Sequence, residues 1–96
     1  MKRIFKFSLE VTDEQWIPLQ KGADLLCVQA QNGKPVLYAT IDDEESQIER
    51  VQILTHGTGH LTSGNIGQYL GTYQLRDGEF VGHCFKGNIA QVLFRY

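Results

Sequence analysis

Asn32-Gly33 stands between two runs of alternating side chains, and that arrangement limits what the chain can fold into. Asn-Gly is favoured in a two-residue type I′ turn, because both central residues of that turn need positive φ. Counting outward through residues 24–31 and 34–42 pairs Val28 with Leu37 and Leu26 with Ala39. With Ala30 and Ile41 these side chains make one apolar face, while Cys27, Gln29, Tyr38 and Thr40 occupy the other. A hairpin with one apolar face needs a second layer to cover it.

The rest of the chain supplies that layer in the same idiom. Residues 3–10 alternate Phe5, Phe7 and Leu9 against Lys6, Ser8 and Glu10, the period of a half-buried strand. Thr12-Asp13-Glu14-Gln15 reads as a polar turn, and Trp16-Ile17-Pro18-Leu19 as an edge piece, since Pro18 has no N–H for a ladder. Residues 48–54 read as a strand, followed by a glycine-rich connection from His56 through Gly64 and Gly67. A second hairpin is expected over residues 69–76 and 79–86, turning at Asp77-Gly78. This pairs Arg76 with Glu79, Leu75 with Phe80, Tyr73 with Gly82 and Thr72 with His83. Gly87-Asn88 is expected to break the chain before a last strand over residues 90–96. About seven short strands with no amphipathic helix predict an all-β antiparallel sandwich or barrel, a single domain over residues 1–96. Its core is expected to hold Phe5, Phe7, Leu26, Val28, Leu37, Ala39, Leu75 and Phe80.

Composition narrows the function. Nine Lys and Arg against eleven Asp and Glu leave a net charge of −2, which argues against a nucleic-acid polymer as partner. It leaves room for a small anion held by a few local cations. Asp42-Asp43-Glu44-Glu45 reads as a solvated loop. Cys27 and Cys84 have no metal or redox spacing and are expected as buried reduced thiols. With no apolar run of membrane length and no leader behind Lys2 and Arg3, the expected compartment is the cytoplasm, without membrane contact. A 96-residue chain buries only about 60–65% of its unfolded surface, so a homo-oligomer is expected, with the Trp16 edge and the tail carrying Phe94 and Tyr96 covered.

The candidate chemistry centres on His56-Gly57-Thr58-Gly59-His60. Glycines at 57 and 59 permit backbone N–H groups to converge on an anion, with the Thr58 hydroxyl beside them. His56, His60, His83, Tyr69, Trp16 and Arg50 are types that donate to phosphates or stack on rings, and they complete the predicted site. The same residues also fit an ordinary glycine-rich turn with two surface histidines. His56 and His60 are four apart, but the glycines between them disfavour the helix a zinc pair needs. His56-Gly57-Thr58 and His60-Leu61-Thr62 repeat the His-x-Thr unit of two-histidine phosphoesterases, yet both sit on one short loop and cannot face each other across a substrate. His83 and Cys84 are strand neighbours pointing to opposite faces. With no nucleophile elbow and no phosphate loop of the Walker type, no enzyme activity, metal or cofactor is expected.

Beyond these residues, KRIFKFSLEVTDEQ, LLCVQAQNGKPVLYATID, GTGH at 57–60, YLGTYQL at 69–75 and VGHCF at 81–85 follow in an order that resembles a family of small phage- and plasmid-encoded proteins, catalogued mainly as a domain of unknown function. The resemblance spans most of the chain and leaves out residues 88–96. It implies a phage accessory protein acting in the host bacterial cytoplasm. By analogy of size and context, it suggests an anti-defence sponge that sequesters an ADP-ribose derivative or cyclic nucleotide. The alternatives are a protein–protein interaction module inhibiting a host protein, and a phosphodiesterase using His56, His60 and His83.

Overall fold

The computed structural model describes residues 1–60 and 67–91. Among them are seven strands and no helix. They are β1 (Lys2–Ser8), β2 (Glu14–Gln20), β3 (Asp24–Gln31), β4 (Lys34–Asp42), β5 (Ile48–Gly57), β6 (Tyr69–Leu75) and β7 (Phe80–Gln91). All pairings are antiparallel, in a three-stranded sheet ordered β1-β4-β3 and a four-stranded sheet ordered β2-β5-β7-β6. The fold is the expected all-β sandwich. Among the described residues no helix is long and apolar enough to cross a membrane.

The Asn32-Gly33 turn forms as predicted, with φ of 53° and 77°, and Val28 faces Leu37. Two residues further from the turn the register slips. Leu26 is an extra residue in β3, so Leu25 rather than Leu26 lies opposite Ala39. A bulge of this kind swings the following side chains to the other face. Leu25 is therefore buried and Leu26 is 45% exposed, which corrects the core expected from simple alternation. Ala30 is exposed as well, while Ile41 is buried. Phe5 is 44% exposed, because β1 is the outer strand of its sheet and leaves one side uncovered. The core is built from Leu9, Leu19, Leu25, Val28, Leu37, Val51, Ile53, Leu70, Tyr73 and Cys84, with Phe7, Leu75 and Phe80 packed against it.

The second hairpin keeps three of its four expected pairs, Leu75–Phe80, Tyr73–Gly82 and Thr72–His83. Its turn is longer than expected. Arg76, Asp77 and Gly78 all take positive φ, and Gly78 N–H donates to the Leu75 carbonyl at 3.1 Å. Arg76 and Glu79 thus belong to the loop and not to the ladder. Gly87-Asn88 does not break the chain. It forms a second bulge, opposite Gln52, and β7 runs through it to Gln91. The expected strand over residues 90–96 therefore begins as the end of β7, and 92–96 lie outside the described residues. Among the described residues β2 pairs only with β5, so Pro18 does lie on an edge strand. Asp43 of the acidic run pairs with Arg3, and both groups are exposed.

β3 and β6 close one side of the sandwich. Leu70 is the extra residue of a third bulge, and Gly71 beside it has φ 145°. A Cβ at Gly71 would stand 2.5 Å from the Val28 carbonyl oxygen, so only glycine lets the two edges approach. Gln68 Nε2 donates to the Leu25 carbonyl across the same seam at 3.3 Å. Inside, Cys84 and Tyr73 are fully enclosed. Burial pushes the Cys84 thiol up, against a smaller opposing effect of the Thr55 hydroxyl 3.5 Å away, which leaves an inert thiol. Cys27 is half-buried and also free.

Two outcomes follow from this core. Leu25→Ala or Leu37→Ala should cost about 2–5 kcal/mol, whereas Leu26→Ala should stay within about 0.5 kcal/mol of the parent. Urea unfolding decides it, and equal costs at 25 and 26 would place the bulge elsewhere. Burial also raises the Tyr73 phenol to about 12, and its hydroxyl has no partner among the described residues. Because the folded chain holds this proton more tightly than the unfolded one, its contribution is complete below pH ~10 and is lost as pH climbs towards 12. Tyr73→Phe should flatten that part of the stability–pH curve, and an unchanged slope would assign the loss to another group.

Candidate functional site

Pairing register fixes what the outer face of the four-stranded sheet presents, because directly opposed residues share a face. Thr55, Tyr73 and Cys84 point into the sandwich. One row on the opposite face runs Glu14, Leu54, Phe85, Tyr69 across β2, β5, β7 and β6. The next row towards the 57–60 turn runs His56, His83, Thr72. Away from that turn, Trp16 stands opposite Gln52, and Pro18 opposite Arg50. Tyr69 and Thr72 are three apart yet share the face, because the Leu70 bulge restores the alternation.

The second row carries a continuous hydrogen-bonded chain. Thr58 Oγ1 lies 2.6 Å from His83 Nε2, and His83 Nδ1 lies 3.0 Å from Thr72 Oγ1. Thr72 in turn shares a short hydrogen bond with the Tyr69 hydroxyl. Both imidazole nitrogens are occupied by hydroxyls, so the ring is held in one orientation. Beside it, three rings meet at tilted angles across three strands: His56 and Phe85 at 6.0 Å between centroids and 53°, Phe85 and Tyr69 at 5.5 Å and 55°. Tyr69 is 56% exposed and offers its ring to solvent. His56 Nε2 is enclosed and has no partner among the described residues.

The 57–60 turn differs from the anion cradle that its glycines suggest. Gly57 is the last residue of β5 and stays extended, opposite Gly82. Gly59 alone in the turn has positive φ, 83°, and the His60 N–H closes the turn onto the Gly57 carbonyl at 3.1 Å. That N–H is therefore already satisfied. The imidazole of His60 folds back over Gly57, where a Cβ would meet it at 2.7 Å. A Cβ there would project on the Thr55 side of the sheet, so His60 lies on the inner side and His83 on the outer. Together with Val11, Asp13, Thr55 and Phe80, His60 lines a small cleft of about 100 Å³ at the open end of the sandwich.

Trp16 and Arg50 form a separate group. The guanidinium sits 5.4 Å over the indole ring, and the indole N–H donates to Glu14 at 3.1 Å. About 13 Å of strand separates Gln52, opposite Trp16, from His56. The structure thus gathers Thr58, His83, His56 and Tyr69, sets Gly57, Gly59 and His60 beside them on the turn, and leaves Trp16 and Arg50 at the far end of the face.

Between the two groups lies a cleft of about 290 Å³ lined by Glu14, Gln52, Leu54, Gly67, Lys86, Gly87 and Asn88. The second bulge shapes it. Gln52 Oε1 accepts the Asn88 N–H at 3.0 Å, and Gln52 Nε2 donates to Glu14 at 2.8 Å. Sequence reasoning missed these residues, and Thr72 and Phe85 as well. Gly87-Asn88 was the available signal, since glycine inside a strand pattern marks a bulge as readily as a break. Among the described residues no three His, Cys, Asp or Glu side chains converge as a metal site.

A family model described as a domain of unknown function, DUF7352, matches residues 1–93 of the chain. No curated protein and no solved structure matches it.

Placing His60 and His83 on opposite faces has a direct test. In Gly57→Ala the new methyl must displace the His60 ring. The imidazole resonances of His60 should then shift strongly in NMR spectra while those of His83 barely move. Comparable shifts at both rings would show that they share one face.

Proposed function

The chain belongs to the DUF7352 family, whose description carries no activity, and on that premise we propose that it is a non-enzymatic binding protein that sequesters a small phosphorylated nucleotide. The observation behind this reading is the outer face of the four-stranded sheet. It combines ring surfaces, from Tyr69 and Phe85, with a row of polar hydrogen atoms and lone pairs running Thr58, His83, Thr72. Bases stack on aromatic rings, and imidazole and hydroxyl groups bond to ribose and phosphate oxygens. Arg50 over Trp16 supplies positive charge, with Glu14 beside it as a counterweight. The ligand class, ADP-ribose derivatives or cyclic nucleotides, comes from the phage-accessory resemblance, and so does the host cytoplasm as its place of action.

The same reading takes the protein as a homo-oligomer, with the open edge of β2 beside Trp16 as the contact that completes the pocket. An interaction module is the second reading. It draws on β1, an edge strand with Ile4 64% and Phe5 44% exposed, which a host protein's strand can extend.

Calorimetry with ADP-ribose derivatives and cyclic dinucleotides tests the first reading. Binding by the parent should weaken about ten- to a hundredfold in Thr58→Ala, His83→Ala and Tyr69→Ala, the worth of one lost charge-assisted or stacking contact. Mass spectrometry should return the ligand intact after denaturation. Chemical change of the ligand would favour a phosphodiesterase, and tight binding by all three folded variants would move the pocket elsewhere. A monomer by light scattering at micromolar concentration would remove the shared pocket.

A further inference from the structure

The geometry points to a second capability of the outer face: Thr58 is a nucleophile that accepts an acyl group from activated small esters or thioesters, with His83 as its base. A hydroxyl becomes nucleophilic when a base stands within hydrogen-bond reach and a third group orients that base. Thr58 Oγ1 is 2.6 Å from His83 Nε2, and Thr72 Oγ1 holds His83 Nδ1 at 3.0 Å. These are three side chains in the order nucleophile, base, orienter, drawn from the 57–60 turn, β7 and β6.

Counting protons along the chain allows two polarities. In one, Tyr69 donates to Thr72, Thr72 to Nδ1, and Nε2–H to Thr58, which leaves Thr58 an acceptor and idle. In the other, Thr58 donates to Nε2, Nδ1–H to Thr72, and Thr72 to the Tyr69 oxygen. Only the second activates Thr58, and it needs neutral imidazole protonated on Nδ1. Tyr69, largely exposed at the end of the chain, can turn its own O–H towards solvent and so accept from Thr72.

The step balances within these groups. Thr58 Oγ1 attacks the carbonyl carbon while its proton passes to His83 Nε2. The bond to the leaving oxygen or sulfur then breaks, and that atom takes the proton from Nε2. The products are an acyl ester on Thr58 and a free alcohol or thiol. Gly57, Thr58, His60, Glu79, Phe80 and Val81 line a cleft of about 180 Å³, room for a small acyl group with an apolar wall. Thr72 is a neutral hydroxyl and cannot stabilise the imidazolium as a carboxylate would. Acylation expels an activated leaving group, whereas hydrolysis must expel the Thr58 alkoxide, so acyl-Thr58 should accumulate instead of turning over quickly.

The probe is p-nitrophenyl acetate with the whole protein. The expected result is a burst of about one equivalent of nitrophenolate, with an acetyl group mapped by mass spectrometry to Thr58. Thr58→Ala should abolish the burst and Thr58→Ser should keep it. His83→Gln preserves a hydrogen bond at that position but cannot take the proton, and should slow labelling of Thr58 about a hundredfold. Thr72→Val should slow it less while leaving Thr58 the modified residue. Circular dichroism confirms that each variant is folded. The proposal is overturned by no label on Thr58 in the parent, by acetyl confined to lysines or the amino terminus, or by undiminished labelling in folded His83→Gln.

Discussion

The close approach of β6 to β3 governs the rest of the molecule. A sandwich of two small sheets encloses a core only if a side is shut, and here the seam is made by backbone meeting backbone at Gly71 and Val28. No side chain fits at position 71, so the seam rests on a residue that contributes no apolar area of its own. The gain is Leu70, which the accompanying bulge turns inward to 3% exposure beside Leu25, itself redirected by the bulge in β3. Two irregularities on facing strands thus cooperate: each sacrifices a ladder position and delivers a leucine to the interface between sheets. At about 25 cal/mol per Å² of apolar surface, two buried leucines outweigh one or two exposed ladder hydrogen bonds.

The outer face of the four-stranded sheet inherits its order from the same devices. Tyr69 reaches Thr72 because Leu70 is extra, and the cleft at Gln52 exists because Gly87-Asn88 is accommodated opposite one residue. With plain alternation Tyr69 would share a face with Tyr73, inside. The bulges therefore decide which side chains meet on the outside as much as which are buried, in keeping with their frequency beside functional sites.

Local chemistry in the sequence revealed most of the strands and the first hairpin turn. Asn32-Gly33, a strand at the start of the chain, Pro18 at an edge and three of the four pairs flanking the second turn are set by two or three neighbouring residues each, and these agree with the structure, whereas the burial expected of Phe5 does not. The extra residues at Leu26 and Leu70 were not legible, because leucine next to leucine, or between tyrosine and glycine, looks the same whether or not the ladder slips. Their cause lies in the other sheet. The candidate site divides in the same way. The pairing of Thr72 with His83 was readable, and it brings Thr58, His83 and Tyr69 together; the fold of the turn was not. Gly57 is extended for reasons of pairing with Gly82, and this sends His60 to the inner side.

β7 is twelve residues long and paired on both flanks, by β5 and β6, so like β5 it is a central strand that cannot open without disrupting the sheet. Amide hydrogens of a central strand exchange only on wide opening, so those of β7 should be among the slow ones. His83 and Phe85 ride on that strand. Ordering them would cost little on binding of the proposed ligand, since folding has already fixed their conformations. Thr58, on a turn, and Tyr69, at the start of an edge strand, retain more freedom. The face thus pairs a rigid half with a half that can adjust, so recognition here should be selective for shape around His83 and tolerant near Tyr69.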